Sequence, residues 1–439
     1  MPKLHVVRYY RSIVIRHYRL LLLILVVVIM ALKGPDLLIH PRIWAEEVYY
    51  LNYSLTHGLW DSLLYSSPSL GYYLLTANVP SVLAAGVSRT RGLEYAPFVT
   101  TYFSFLIQLL PFVVLLYGNS RLFKTPALVA TGCALILFAG TSSGEIWFTS
   151  IHTKNWIGLT VFLLLFEDMS GWSPARTWFF RVVVLFCGLS GPYSVITFPL
   201  FAIAYRIYGD KEKLVHAGLL AGCFFLDVIV SIAEARAGHM GIRTSDFTLD
   251  SAIVNIFAHQ VLQSLLGGHA ISFARHSLGL ASAVRDATAV PRPGRVILPA
   301  IGAAAVMATT LKLFWSKLRS TQTLLVASFL LFAAFTALTS LWAVPHNRYA
   351  FLPGVAFLFL LLSVWSDASQ TKRVVAVALL ACALYSGIRD YPKYWIENSE
   401  GQPSWTNEVR KWREDPAYKP LVWPSSFGAR VEWHPDIRR

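Results

Sequence analysis

Two adjacent carboxylates, Glu46 and Glu47, open the stretch Ile43 to His57, and Tyr49, Tyr50 and Tyr53 follow them before His57. A carboxylate facing a protein cavity is placed to take a proton from a hydroxyl group. On a helix, Glu46, Tyr49, Tyr50, Tyr53 and His57 gather on one face, while Trp44, Val48, Leu51 and Leu55 form an apolar stripe on another. That pattern predicts a helix lying at a membrane surface, its stripe in lipid and its acidic face toward protein. Taken alone, an acidic pair is equally at home as solvated charge in the first turn of a surface helix. Its position relative to the hydrophobic segments is what singles it out.

Other polar groups stand at the borders of apolar runs. Glu145, His152, Lys154 and Asn155 form one cluster, and the turn Pro345-His346-Asn347-Arg348-Tyr349 forms another. Asp227 lies inside an apolar run, where a carboxylate is costly unless it is paired or hydrated. His269, Arg275 and His276 follow a double glycine in a long loop and are ordinary candidates for solvated side chains.

The elements that must position these groups are hydrophobic. Of 439 residues, 55% are hydrophobic and 14% charged, against roughly a quarter charged in ordinary soluble domains, which predicts an all-α polytopic membrane protein. The net charge of +14 is scattered in short clusters between apolar segments rather than collected on one stripe. That distribution sets membrane orientation and excludes nucleic acid as a partner. The four cysteines, Cys133, Cys187, Cys223 and Cys382, fall within predicted spans and have no metal-ligand or CxxC spacing, so neither a disulfide framework nor a zinc site is expected.

A basic N-terminus precedes the run LLLLILVVVIMAL-like segment from Leu20 to Leu32, read as an uncleaved first span with its basic end in the cytoplasm. The piece Leu70 to Val87, interrupted by Asn78 and Pro80, is predicted as a hairpin on the outer surface, because a span there would invert every basic loop before Arg206. With that choice there are about eleven spans. The loops carrying Arg121 and Lys124, Arg176 and Arg181, Arg206 with Lys211 and Lys213, Lys317 and Arg319, and Lys372 and Arg373 then all fall on the cytoplasmic side. Residues 1–388 make the multi-span domain, with an outer juxtamembrane region at 34–96 and an outer loop at 234–294. Within that loop the run containing Val254, Phe257, Val261 and Leu265 has helical spacing and is expected to rest on the membrane. Residues 389–439 make an outer tail in which Trp395, Trp405, Trp412, Trp423 and Trp433 predict a small packed cap at the lipid interface.

Several short motifs sit at matching places in this plan: Trp44-Ala45-Glu46-Glu47-Val48-Tyr49-Tyr50, then Gly58, Pro68, Leu70-Gly71-Tyr72-Tyr73-Leu74-Leu75, and Ser120-Arg121-Leu122-Phe123. In this order the chain resembles the C-type glycosyltransferase superfamily over roughly its first third. The likeness is to lipid A aminoarabinose transferases and protein mannosyltransferases. The resemblance implies transfer of a sugar from a polyprenyl-phosphate carrier to a glycan or lipid acceptor, with inversion at the sugar carbon and no divalent metal. It places Glu46 on the catalytic carboxylate, an Asp in most of the family, and Glu47 on its neighbour. The extra methylene of Glu changes the reach of the base.

Such a transfer needs a base for the acceptor hydroxyl and positive groups for the departing phosphate. Glu46 would be the base, with Glu47 beside it. Arg348 would grip phosphate oxygens in two places, with Tyr349 adjacent, and Lys154 would pair with the same phosphate. Glu145, His152, Asn155, Tyr50, His346, Asp227, His269 and Arg275 are candidates for the acceptor side or the cavity. No cofactor and no metal are expected. The expected location is a bacterial inner membrane, N-terminus cytoplasmic, site and tail periplasmic. Two other readings fit the same plan: an O-antigen ligase or polymerase relying on Arg275, His276 and Arg348, and a transporter or flippase of lipid-linked sugars. The second needs ionisable groups along a whole path across the bilayer, whereas here they cluster at span ends.

Overall fold

The computed structural model describes residues 2–67, 72–139, 146–237, 260–267, 320–339, 347–367, 369–391, 403–415, 417–424, 428 and 430–432. The described residues are helical, with isolated bridges and no strand among them. In chain order the helices are α1 (Pro2–Lys33), α2 (Pro35–Ile39), α3 (Glu47–Thr56), α4 (Leu59–Leu63), α5 (Leu75–Arg91) and α6 (Ala96–Tyr117). Then follow α7 (Pro126–Ala134), continued by a π turn at Leu135–Ala139, α8 (Thr153–Leu164), α9 (Pro174–Gly188), α10 (Tyr193–Tyr208) and α11 (Lys211–Arg236). The last are α12 (Ser320–Thr339), α13 (Phe351–Asp367), α14 (Gln370–Asp390) and α15 (Trp405–Glu414).

Three segments are long and apolar enough to cross a membrane: Leu93–Tyr117, Lys211–Arg236 and Gln370–Asp390. Shorter apolar helices cover Pro126–Phe138, Tyr193–Tyr208, Ser320–Thr336 and Phe351–Trp365. Large apolar side chains left exposed on α1, α9 and α11, such as Leu21, Leu25, Trp178, Val182, Phe225 and Ile229, are what a lipid-facing surface requires. Local chemistry starts and stops the helices. Ser173 caps α9 by accepting the Arg176 N–H at 3.3 Å, with Pro174 in the first turn. Gly209, at φ +69°, ends α10, and Asp210 then caps α11 by accepting the Glu212 N–H at 3.1 Å.

Successive helices run between two ends of the bundle, and the two ends differ in chemistry. At one end, Arg121 pairs with Asp168 at 3.5 Å and lies 4.2 Å from the centroid of the Tyr208 ring. Arg181 grips Glu212 through two bonds of 2.7 and 2.8 Å. The fully buried Lys213 donates to the carbonyls of Leu164, Leu165 and Glu167 at 3.2, 3.0 and 2.9 Å, closing the C-terminus of α8. At the other end lie the start of α8, the start of α10, the end of α14 and the acidic turn before α3. The core between is aromatic: Phe162 meets Phe359 at 6.2 Å and Trp156 meets Phe351 at 5.0 Å, so α8 and α13 run in the same direction.

Four expectations change. The segment Leu70 to Val87 is no hairpin; from Leu75 it is the helix α5. Both ends of α5 stay at the acidic end of the bundle, since Leu75 bonds the Leu189 carbonyl at 2.8 Å and Arg91 leads directly into the start of α6. The stripe Val48, Leu51 and Leu55 faces protein, not lipid. These residues pack with Ala84 and Ala85 of α5 and with Val409, Trp412 and Val422 of the tail. Residues 260–267 are also packed inside: Val261 and Leu265 are buried, and Gln260 donates to Thr336 of α12 at 2.6 Å. Finally, the boundary placed at 388 falls inside the last turn of α14. The expected span Val296 to Phe314 lies outside the described residues, as do Pro68, Leu70, Gly71, Trp395 and Trp433.

Candidate functional site

The loop at 146–152 and the first turn of α8 knit the acidic end together. The Ile146 carbonyl accepts bonds from Gln108 Nε2 at 3.2 Å and Trp156 Nε1 at 2.8 Å, which fixes the loop on α6 and α8. Four residues on, the Ser150 N–H donates to Glu47 Oε1, while the Trp44 N–H donates to Glu47 Oε2 at 2.9 Å. Glu47 is 2% exposed, and burial pushes its carboxyl up to about 7 despite those bonds. With both oxygens engaged by backbone and almost no exposure, Glu47 is a tie between the acidic turn and this loop. Glu46 differs. It occupies the N-cap position of α3, is half-buried, and lies near the Tyr50 phenol.

Tyr50 is 2% exposed and its hydroxyl has no hydrogen-bond partner among the described residues. Burial, and then the neighbouring Tyr72, Tyr65 and Glu46, hold that phenol well above its ordinary value, so it is a neutral donor. Tyr72 receives a bond from Lys154 Nζ at 2.7 Å, and the same ammonium sits 5.0 Å from the Tyr72 ring centroid. Around them is an aromatic rim. Tyr53 is stacked between His57, at 3.8 Å, and Tyr65, at 4.1 Å, and the Tyr65 ring meets Tyr50 edge-on at 5.5 Å.

The segment carrying Tyr72 is held from below. Its backbone pairs with the end of α9, where Gly191 N–H donates to the Tyr73 carbonyl at 2.9 Å and Thr76 N–H to Ser190 Oγ at 3.1 Å. Gly191 has a φ of +99°, where an L side chain is strained, and it packs beside Lys154 and the Tyr72 ring. Asp227 accepts the Tyr73 N–H at 3.4 Å and the Ser194 hydroxyl at 3.1 Å, so it supports this segment from α11. Asn155 is buried and accepts the Tyr193 hydroxyl, joining α8 to α10, and His152 is buried at the head of α8.

Arg348 is half-buried in the 3-10 turn Asn347–Ala350, which also contains Tyr349. Phe351, three residues later, packs on Trp156, two residues after Lys154. The turn therefore lies at the same end of the bundle as Lys154 and Glu46. Glu145, His346, His269, Arg275 and His276 lie outside the described residues. Among the described residues no three His, Cys, Asp or Glu side chains are grouped to hold a metal ion.

The C-terminal tail, expected at the lipid interface, is packed onto the acidic turn. The Trp423 N–H donates to the Ile43 carbonyl at 2.9 Å and its carbonyl accepts the Ala45 N–H at 2.7 Å, with the Trp44 and Trp423 rings 4.7 Å apart. Asn52 of α3 bonds the tail backbone at Arg430, 3.2 Å, and Glu432, 2.8 Å. Trp405 donates to the Leu93 carbonyl at 3.1 Å. Sequence reasoning missed this docking, and no local pattern announces it. It also passed over Tyr65 and Lys33. Lys33 carried a signal, being a lone cation on the far side of the first span from the basic N-terminus.

No family model matches the sequence, and no curated protein matches it.

Proposed function

We propose that the chain is an integral membrane glycosyltransferase of about eleven spans that moves a sugar from a polyprenyl-phosphate carrier to a glycan or lipid acceptor. The basic end, with Arg121, Lys124, Arg176, Arg181 and Lys213, faces the cytoplasm by the usual charge bias, and the acidic end faces outward. One observation carries the reading. A half-buried carboxylate, Glu46, stands one helical turn before Tyr50, whose buried hydroxyl has no partner among the described residues and which packs with a Tyr72 held by the cation Lys154. Base, hydroxyl-bonding group and cation are what transfer from a sugar phosphate demands.

In this reading Glu46 takes the acceptor hydroxyl proton as the acceptor oxygen attacks the anomeric carbon. The bond from that carbon to the phosphate oxygen breaks, its electron pair leaves with the carrier phosphate, and the configuration inverts. Lys154 and Arg348 offset the charge on the departing phosphate. Tyr50 donates to a sugar oxygen, and Glu47 keeps the turn in place. The Tyr53, His57 and Tyr65 stack offers an aromatic edge to the sugar ring. The local engagement of Asp227, the one acidic residue deep in a described span, favours an enzyme over a carrier with a polar path.

The test is transfer of a radiolabelled sugar from polyprenyl-phosphate donors by the purified protein. Glu46→Gln should fold normally and lose about a hundredfold or more in rate, as removal of a general base does. Full activity in a folded Glu46→Gln protein would remove Glu46 as the base. Movement of the lipid-linked sugar across vesicles without bond formation would replace the enzyme with a flippase.

A further inference from the structure

Lys33 ends α1 and is 4% exposed. Its ammonium lies 4.0 Å from the Tyr391 ring centroid and donates to the Tyr391 carbonyl at 2.5 Å. Among the described residues no carboxylate comes within ion-pair distance of it; the nearby Asp390 is paired with Arg389 at 3.2 Å. An ammonium has three N–H groups, and only one is used. Beside it lies Trp147, fully buried, its ring centroid 5.9 Å from Lys33 Nζ, and the indole N–H has no hydrogen-bond partner among the described residues.

A buried cation whose carboxylate neighbour, Asp390, is shared with Arg389, and a buried N–H without an acceptor among the described residues, are each costly. Both lack the same thing, and they share one place against the Tyr391 ring. An anion with hydrogen-bond-accepting oxygens would satisfy both. The position belongs to the acidic end. Trp147 and Ser150, the residue that bonds Glu47, are three residues apart, at most about 11 Å along the chain. Trp147 also packs on Trp156 at 4.8 Å, and Trp156 packs on Phe351 close to Arg348.

We infer that Lys33 and the Trp147 indole N–H form a seat for a phosphoryl group at the outer end of α1. Resting on the glycosyltransferase reading, the group is that of the polyprenyl carrier, and Lys33 then holds a phosphate oxygen while Lys154 and Arg348 approach from α8 and the turn before α13. A phospholipid headgroup or inorganic phosphate offers the same oxygens.

The experiment titrates the full-length protein in phosphatidylcholine nanodiscs with a short-chain polyprenyl monophosphate, phosphatidylglycerol and inorganic phosphate, for the wild type, Lys33→Met and Lys33→Arg. Trp147→Phe, which removes only the indole N–H and part of a ring, is the second variant should Lys33→Met fail to fold. Lys33→Met should weaken polyprenyl phosphate roughly tenfold or more, Trp147→Phe should weaken it by less, and Lys33→Arg should restore most of the affinity. Competition by inorganic phosphate alone assigns the seat to the phosphoryl group itself. Phosphatidylglycerol binding as tightly as the polyprenyl lipid assigns it to a headgroup and overturns the carrier assignment. Unchanged polyprenyl phosphate binding in folded Lys33→Met and Trp147→Phe overturns the seat, even if sugar transfer is intact. Binding that depends on Lys33 without any sugar transfer leaves the seat standing and removes the transferase reading instead.

Discussion

Replacing Glu47 by Gln separates the two adjacent acids. In the native site one carboxylate oxygen accepts the Trp44 N–H and the other accepts the Ser150 N–H, inside a region where Glu47 is 2% exposed. Gln keeps the shape but offers one acceptor and one NH₂, so one of the two backbone donors then faces another donor. A buried donor left without an acceptor costs about 1–3 kcal/mol, and the loss falls on the contact that joins the acidic turn to loop 146–152. Glu46 makes no such tie, and Glu46→Gln should change stability by less than about 0.5 kcal/mol. Thermal unfolding of both variants in the same detergent, followed by tryptophan fluorescence, makes the comparison. Glu47→Gln should melt several degrees lower, with Glu46→Gln matching the wild type. Equal melting of all three proteins, or a loss confined to Glu46→Gln, refutes the division of roles.

Four more outcomes follow from the same geometry. Because burial raises the Glu47 carboxyl to about 7 from an ordinary value near 4.5, its neutral form is favoured in the fold. Its contribution to stability is therefore greatest below the unfolded value, declines as pH rises from about 4.5 to about 7, and is level above; the gap in melting temperature between wild type and Glu47→Gln should narrow across that window without closing, and parallel curves would contradict it. Lys213→Met leaves three carbonyls at the end of α8 without their donor and should cost about 2 kcal/mol or more, seen as a lower melting temperature with donor-lipid affinity unchanged at low temperature. Trp423→Ala removes a buried ring from the acidic turn and should destabilise the docked tail by about 3–5 kcal/mol; faster limited proteolysis within residues 403–432 is the readout, and an unchanged cleavage rate counts against docking. Gly191→Ala forces a positive-φ backbone on alanine beside Lys154 and Tyr72 and should cost about 1 kcal/mol, seen as a lower melting temperature; unchanged melting would contradict strain at this turn.

The sequence made the helical, membrane-embedded class plain through its apolar runs, and it found the acidic turn because Glu46 and Glu47 sit directly after the first of them. It read Leu70 to Val87 as an outer hairpin by charge alternation, and from Leu75 that segment is instead the helix α5. What it missed are partnerships between distant segments. The stripe Val48, Leu51 and Leu55 has helical spacing whether its partner is lipid or protein, and the partner is a tail more than 350 residues away. The two acids are alike in sequence, and the Trp44 and Ser150 N–H bonds to Glu47, with its burial, distinguish them. Asp227 and Asn155 drew notice as polar groups near spans. Their partners, the Tyr73 N–H and the Tyr193 hydroxyl, show that such residues also serve to lock helices together.

The proposal depends most on Glu46, Lys154 and Arg348 lying together on the outer side of the membrane. Pairs of spin labels on cysteines introduced at 46 and 154, and at 46 and 348, measured by pulsed electron resonance in nanodiscs, test it most directly. Both separations should fall below about 20 Å, and all three cysteines should react with an impermeant thiol reagent added from outside. A separation of about 30 Å, the thickness of the hydrocarbon core, for either pair, or labelling of any of the three only from the cytoplasmic side, would contradict a shared site.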